Sequence, residues 1–224
     1  PGFLALAALL AAHPARAADT ALLRTQCAGV TGTCFESLPD LNAWLAALAP
    51  HPGKPARIEV GPGVFRGTFE CRRVGGVVLV GAGASLSVLA AVDGALEPGV
   101  RLETCDGLDV SGLGVRGGYR AVHLGGTSVS AWTNVALVGG GRGVYSSFQC
   151  DPANTRHEWR NARIEAIPRG MTVGYDARCG SHRIVASEVL ANGVAAEYGG
   201  APNNVVALKA DRHAQRVAVR VLGS

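Results

Sequence analysis

The rhythm of hydrophobic and polar positions changes twice along the chain. From Phe3 to Ala12 almost every residue is Leu or Ala, with no polar alternation. From Ser37 to Ala49 the apolar residues Leu41, Trp44, Leu45 and Leu48 fall on one helical face. Ser37 is placed to cap that helix, and Pro39 suits its first turn. From Arg57 onward the period shortens to two. Arg57-Ile-Glu-Val60, Gly63 to Cys71, Val77-Val-Leu-Val80 and Val100-Arg-Leu-Glu103 read as short strands.

The second half repeats itself. Val110 to Val122, Trp132 to Tyr145, Trp159 to Met171 and His182 to Val194 each hold an alternating strand, a Gly or Asn turn and a second apolar strand. Asn203 to Leu208 is a half copy. The turn positions Ala121, Gly143, Gly170 and Gly193 lie 22, 27 and 23 residues apart. Strand starts are expected at Gly112, Asn134, Asn161, Ile184 and Asn204. A period in the low twenties is a solenoid signature. The Leu/Asn skeleton of leucine-rich repeats is absent, and propeller blades need about 40 residues. A β-sandwich is the competing architecture. The pattern predicts an all-β fold: a single-stranded right-handed parallel β-helix over 57–224 with a capping α-helix in the preceding segment, 18–56. In that arrangement Asn134 stacks on Asn161, Tyr175 on Tyr198 and Glu165 on Glu188, and Cys150 lies one coil from Cys179. The sequence leaves open whether the solenoid continues past Ser224.

The helix, then Ile-Glu-Val-Gly-Pro-Gly-Val-Phe, then Val-Val-Leu-Val-Gly-Ala-Gly, resemble the N-terminal coils of the pectin-lyase-like superfamily. The resemblance covers residues 38–208. It implies the β-helix fold and points to polysaccharides, uronic-acid polymers above all. It does not carry a catalytic motif across. The esterase strings Gln-Asp-Thr-Leu and Asp-Phe-x-Phe-Gly are absent, as are the polygalacturonase signatures. Tyr145, Asp151-Pro152 and His157 approach an epimerase string, but an insertion breaks it. A lyase, hydrolase or epimerase and a non-catalytic adhesive solenoid therefore both stand.

Phe3 to Ala12 also suits the hydrophobic region of a secretory signal, and Ala15-Arg16-Ala17 suits its cleavage site. Residues 1–17 are read as a signal remnant, and a secreted or periplasmic protein is expected. The six cysteines agree, since an even count in an exported chain favours disulfides. Fifteen connectivities are open. Proximity suggests Cys27–Cys34, Cys71–Cys105 and Cys150–Cys179, with a coil between residues 84 and 96 the obstacle to the second.

Composition narrows the partners. The 224 residues are 48% hydrophobic and 17% charged, which excludes a disordered chain. The formal net charge of +4 rests almost wholly on arginine. No basic block with interleaved aromatics is present, so a nucleic-acid partner is not expected. Apolar runs are too short to span a bilayer, and a monomer is expected.

The candidate chemistry centres on the insertion Cys150-Asp-Pro-Ala-Asn-Thr-Arg-His-Glu-Trp-Arg160, read as a polar loop that lengthens its coil. Asp151, His157 and Glu158 are the candidate acid/base groups. Arg156, Trp159 and Arg160, with Asp176, Arg178 and His182 from the next coil, are candidate substrate-binding residues, with arginine pairing a carboxylate and Trp159 or Trp132 stacking a sugar. The competing reading is a solvated loop fastened by Cys150–Cys179. No cofactor is expected. A stacked Glu165/Glu188 pair would be the one place for Ca²⁺, though no motif supports it. His123 reads as a half-exposed strand residue, and Gly81-Ala-Gly-Ala as a turn.

Overall fold

The computed structural model describes residues 19–92, 96–126, 128–147, 149–151, 153–166, 173–191, 194–199, 205–208 and 219–222. The predicted signal remnant lies outside them. The chain winds as a right-handed parallel β-helix with three faces. The first face stacks Asp19–Leu23, Ala56–Val60, Gly75–Gly81, Asp106–Ser111, Val129–Thr133, Arg156–Arg160, the start of Ser181–Ala191, and Val205–Leu208. The second stacks Gly63–Arg66, Ser87–Ala90, Gly114–Arg116, Ala136–Gly139, Arg163–Ala166 and the end of Ser181–Ala191. The third stacks Phe69–Arg72, Val100–Glu103, Arg120–Gly125, Arg142–Ser146, Val173–Ala177, Val194–Gly199 and Val219–Leu222. Every pairing between these strands is parallel. The expected hairpins of a sandwich do not occur among them. The stack starts earlier than residue 57, because Asp19–Leu23 pairs with Ala56–Val60 in the same sheet.

Period-two patterning builds the core. In Ala56–Val60 and Gly75–Gly81 alternate side chains turn inward, and Ile58, Leu79 and Val110 lie in register one above another. The corner between the first and second faces turns on a left-handed residue in four successive coils. Gly112, Asn134, Asn161 and Ala186 hold φ of 63°, 55°, 48° and 49°. Asn tolerates this region better than other side chains. The expected Asn stack forms, with Asn161 Nδ2 donating to Asn134 Oδ1 at 2.6 Å.

That corner also corrects the repeat alignment. The position equivalent to Asn161 is Ala186, not Ile184, which sits mid-strand opposite Trp159. Tyr175 pairs with Ala196, and Tyr198 with Ala177, so the two tyrosines expected to stack are not in register. Glu188 is opposite Arg163, and Glu165 opposite Leu190. Both carboxylates turn to Arg163 instead of to each other. The cause is an unequal connection between the second and third faces, residues 167–172 in one coil and 192–193 in the next. Alignment on Gly170 and Gly193 therefore slips the register.

Helix α1, Leu38–Leu48, closes the N-terminal end. Ser37 is extended, and its hydroxyl accepts from the Asp40 N–H at 3.3 Å, while Asp40 complements the first-turn dipole. Leu38, Leu41 and Leu45 are buried; Trp44 and Leu48 pack more shallowly, Trp44 beside Phe35. Asn42 finishes the edge of the third face. Its amide donates to Thr68 O at 2.8 Å and accepts from Glu70 N at 3.0 Å, taking the place of a neighbouring strand.

All three disulfides suggested by proximity are formed, with Cα–Cα distances of 5.8 Å for Cys27–Cys34, 5.6 Å for Cys71–Cys105 and 6.1 Å for Cys150–Cys179. Cys71 stands opposite Leu102, and Cys105 ends that coil. The stretch feared to separate them supplies the second-face strand Ser87–Ala90 within the same coil.

Candidate functional site

The structure distributes the expected site residues over three environments. The insertion is a loop only as far as Thr155; Arg156–Arg160 is a first-face strand. Its alternation exposes Arg156 and Arg160, leaves Glu158 half-buried and sends His157 and Trp159 into the core. Glu158 is held by Arg160 and by Arg183 at 3.5 Å. Asp151 stays in the loop and shapes it, accepting from Ala153 N at 3.0 Å and Asn154 Nδ2 at 2.6 Å. Asp151, His157 and Glu158 are therefore not brought together.

His157, Trp159 and His182 are core residues. Trp132 stacks on Trp159 with ring centres 4.8 Å apart, and the two histidine rings lie 5.1 Å apart. Two short relays satisfy their polar atoms. Trp132 Nε1 donates to Ser130 Oγ at 2.8 Å, and Ser130 Oγ meets His157 Nδ1 at 2.7 Å. Trp159 Nε1 donates to Tyr175 OH at 2.7 Å, which meets His182 Nδ1 at 2.6 Å. His182 Nε2 meets Cys179 O at 2.7 Å. A carbonyl only accepts, so His182 carries its proton on Nε2, and Tyr175 donates to Nδ1. Ser130 Oγ accepts from Trp132 and shares a hydrogen bond with His157 Nδ1. Burial pushes His182 down to about 4. Burial, and then the charge of His182, push His157 well below the ordinary histidine value. Both imidazoles are neutral structural groups.

Asp176 and Arg178 lie on the outer surface of the third face, where register builds a ladder. Glu70, Arg101, His123, Tyr145 and Asp176 follow one another from coil to coil. A groove of about 800 Å³ runs along this face, bordered by Leu96, Glu97 and Pro98 on one side and by Ser147 and Gln149, just before the insertion, on the other. Its floor includes Arg72, Arg101, Tyr119, Arg120 and His123. Glu70 pairs with Arg72 at 3.0 Å and Arg101 at 3.2 Å, Glu103 with Arg72 at 3.3 Å, and Glu97 with Arg101. Asp176, buried on the coil after Tyr145 and outside the groove lining, pairs with Arg142 at 2.8 Å and with Arg178. Burial, then the Arg120 and Arg101 charges, lower His123 to about 4 against the opposing pull of Glu103 and Glu97. His123 is therefore a neutral imidazole in the groove at pH 7. Among the described residues no cluster of three or more His, Cys, Asp or Glu converges as a metal site.

Sequence reasoning missed Glu70, Arg72, Arg101, Tyr119, Arg120 and Tyr145. The signal was present, because Arg101, His123 and Tyr145 recur at a constant spacing of 22 on outward positions.

The described residues thus form a β-helix of the pectin-lyase type with a charged, tyrosine-bearing groove on one sheet. Solved structures of this fold that resemble it include a pectin methylesterase in complex with a hexasaccharide, with a TM-score of 0.51 and 14% identity over 81% of this chain and 55% of that one. Another is the pectin methylesterase PemA from Erwinia chrysanthemi, with a TM-score of 0.52, 14% identity and the same coverage. The chain spans about half the length of these enzymes. No protein-family model and no curated protein matches it.

Proposed function

We propose that this protein is an exported β-helix that binds polysaccharide along the groove of its third face, with uronic-acid polymers the favoured class. The carrying observation is the groove itself: an open groove lined from successive coils of the third face, with arginines and Tyr119 in its lining. Arginine forks pair sugar carboxylates, and a tyrosine ring offers a face for a sugar. The hexasaccharide-bound esterase supports a glycan partner for a fold of this shape. Three disulfides that use every cysteine support an oxidising compartment.

Binding without turnover is the better-supported form of this reading. The groove carboxylates Glu97 and Glu103, and Glu70 and Asp176 on the same face, are each ion-paired with arginine, an arrangement that commits them to structure rather than to proton transfer. The enzymatic reading rests on His123, a neutral base facing the groove. Affinity electrophoresis through gels containing polygalacturonate or a neutral glucan tests the proposal, and retardation by polygalacturonate is expected. An unretarded protein overturns it. Ultraviolet absorbance from unsaturated uronates, methanol release and new reducing ends then separate the two forms, with no product expected.

A further inference from the structure

Charge is unevenly compensated along the groove. At the end nearer α1, the three carboxylates Glu70, Glu97 and Glu103 surround the two guanidinium groups of Arg72 and Arg101. Toward the other end, Asp176 pairs with both Arg142 and Arg178, and Glu197 follows it in register on the next coil. Arg120, opposite Arg142 in register, takes no share of Asp176. Arg120 has no carboxylate within ion-pair distance among the described residues. Its Nε is buried without a hydrogen-bond partner. An arginine nitrogen shut away from water and left unpaired is uncommon, since the missing bond is expensive.

Two tyrosines hold that guanidinium in place. It lies 4.4 Å from the Tyr145 ring centre and 5.6 Å from that of Tyr119. The neighbouring Arg142 is 4.9 Å and 5.5 Å from the same rings and reaches the Tyr119 hydroxyl at 3.4 Å. Cation–aromatic contacts orient the planar group and leave its charge unneutralised. A carboxylate or sulfate ester arriving in the groove meets a cation that is already oriented.

Resting on the polysaccharide reading above, we propose that Arg120, cradled by Tyr145 and Tyr119, is the subsite that takes the negative group of the bound chain, a uronate carboxylate or a sugar sulfate. Arg72 and Arg101 are already occupied, so they shape the floor and contribute little net attraction. The groove then distinguishes glycans by one charge at one place along its length.

The test compares the full chain with Arg120→Ala, Arg120→Lys and Arg57→Ala, the last a half-buried first-face arginine away from the groove. The probes are polygalacturonate, its fully methyl-esterified form, a sulfated galactan and a neutral glucan. Arg120→Ala is expected to weaken binding of the anionic chain at least tenfold, with the melting temperature and neutral-glucan binding unchanged. Arg120→Lys, which keeps the charge and loses the fork, is expected to fall between, and Arg57→Ala to match the parent. The esterified polymer should bind the parent no better than polygalacturonate binds Arg120→Ala. Loss on polygalacturonate names the carboxylate as the group read, and loss on the sulfated galactan names the sulfate. If Arg120→Ala and Arg120→Lys bind both anionic chains as the parent does, the subsite is refuted while the groove stands. If the parent binds no glycan, both proposals fall together.

Discussion

Acid should unfold this protein from the inside. His157 and His182 sit in the core among Trp132, Trp159, Tyr175 and Ser130, and each is neutral there. In the unfolded chain each imidazole regains the ordinary histidine pKa of about 6.5. The folded state holds His182 at about 4. Between those values the unfolded chain binds the proton and the folded protein does not, so acidification favours unfolding. Stability is full above about pH 6.5, falls as the pH drops toward 4, and levels off for His182 once the folded imidazole also protonates. At pH 5 that difference amounts to about 2 kcal/mol for His182 relative to pH 7. His157 acts in the same direction, because burial and the neighbouring His182 lower its folded value as well. Urea unfolding at pH 7 and pH 5, followed by tryptophan fluorescence, should show a loss of at least about 2 kcal/mol. His123 is partly exposed and also shifted, so the series is run in a His123→Ala background. His182→Gln keeps an acceptor for Tyr175 and a donor for Cys179, and should remove the His182 share of the profile, about 2 kcal/mol between pH 7 and pH 5. An unchanged pH profile in His182→Gln would refute the reasoning.

Replacing Cys150 and Cys179 by Ser opens a loop of sequence separation 29 and should cost about 3 kcal/mol, read as a shift in denaturant midpoint against the oxidised parent. Ala186→Asn relieves a non-glycine residue at φ 49° and offers Asn161 a further amide; a gain of about 1 kcal/mol in thermal unfolding is expected, and destabilisation would show that the corner cannot extend the ladder. Asn42→Ala leaves Thr68 O and Glu70 N of the edge strand without their partner, and should lower stability by about 1–2 kcal/mol while speeding hydrogen exchange at Glu70.

The fold was legible because a solenoid writes its period into the sequence. Asn134 and Asn161 marked the corner, and the cysteine spacings marked neighbouring coils. The site was less so, for two physical reasons. Arg156-His-Glu-Trp-Arg160 looks like a charged loop when residues are judged by polarity alone. Its period of two is that of a half-buried strand, with one inward position filled by an imidazole whose hydrogen bonds come from Ser130 on the previous coil. That partner is distant in sequence and left no local sign. The outward ladder through Arg101, His123 and Tyr145 was hidden because the copies were aligned on turn glycines, whose connections differ in length between coils. Outward positions keep register through backbone pairing, which only the strands reveal.

The three corners of the helix do not age alike. Between the first and second faces the chain crosses at one left-handed residue flanked by close backbone contacts; a Cβ on Gly112 would meet Gly81 O at 2.8 Å. Growth there would shear both adjoining sheets. The corners on either side of the third face have already accepted the long connections 91–99 and 147–155, and parts of both became the banks of the groove. The scaffold therefore separates what must be inherited from what can be edited. Grafted loops at those two corners should redraw what the groove admits, while the strand ladder beneath, including Arg120 and Tyr145, is carried through unaltered.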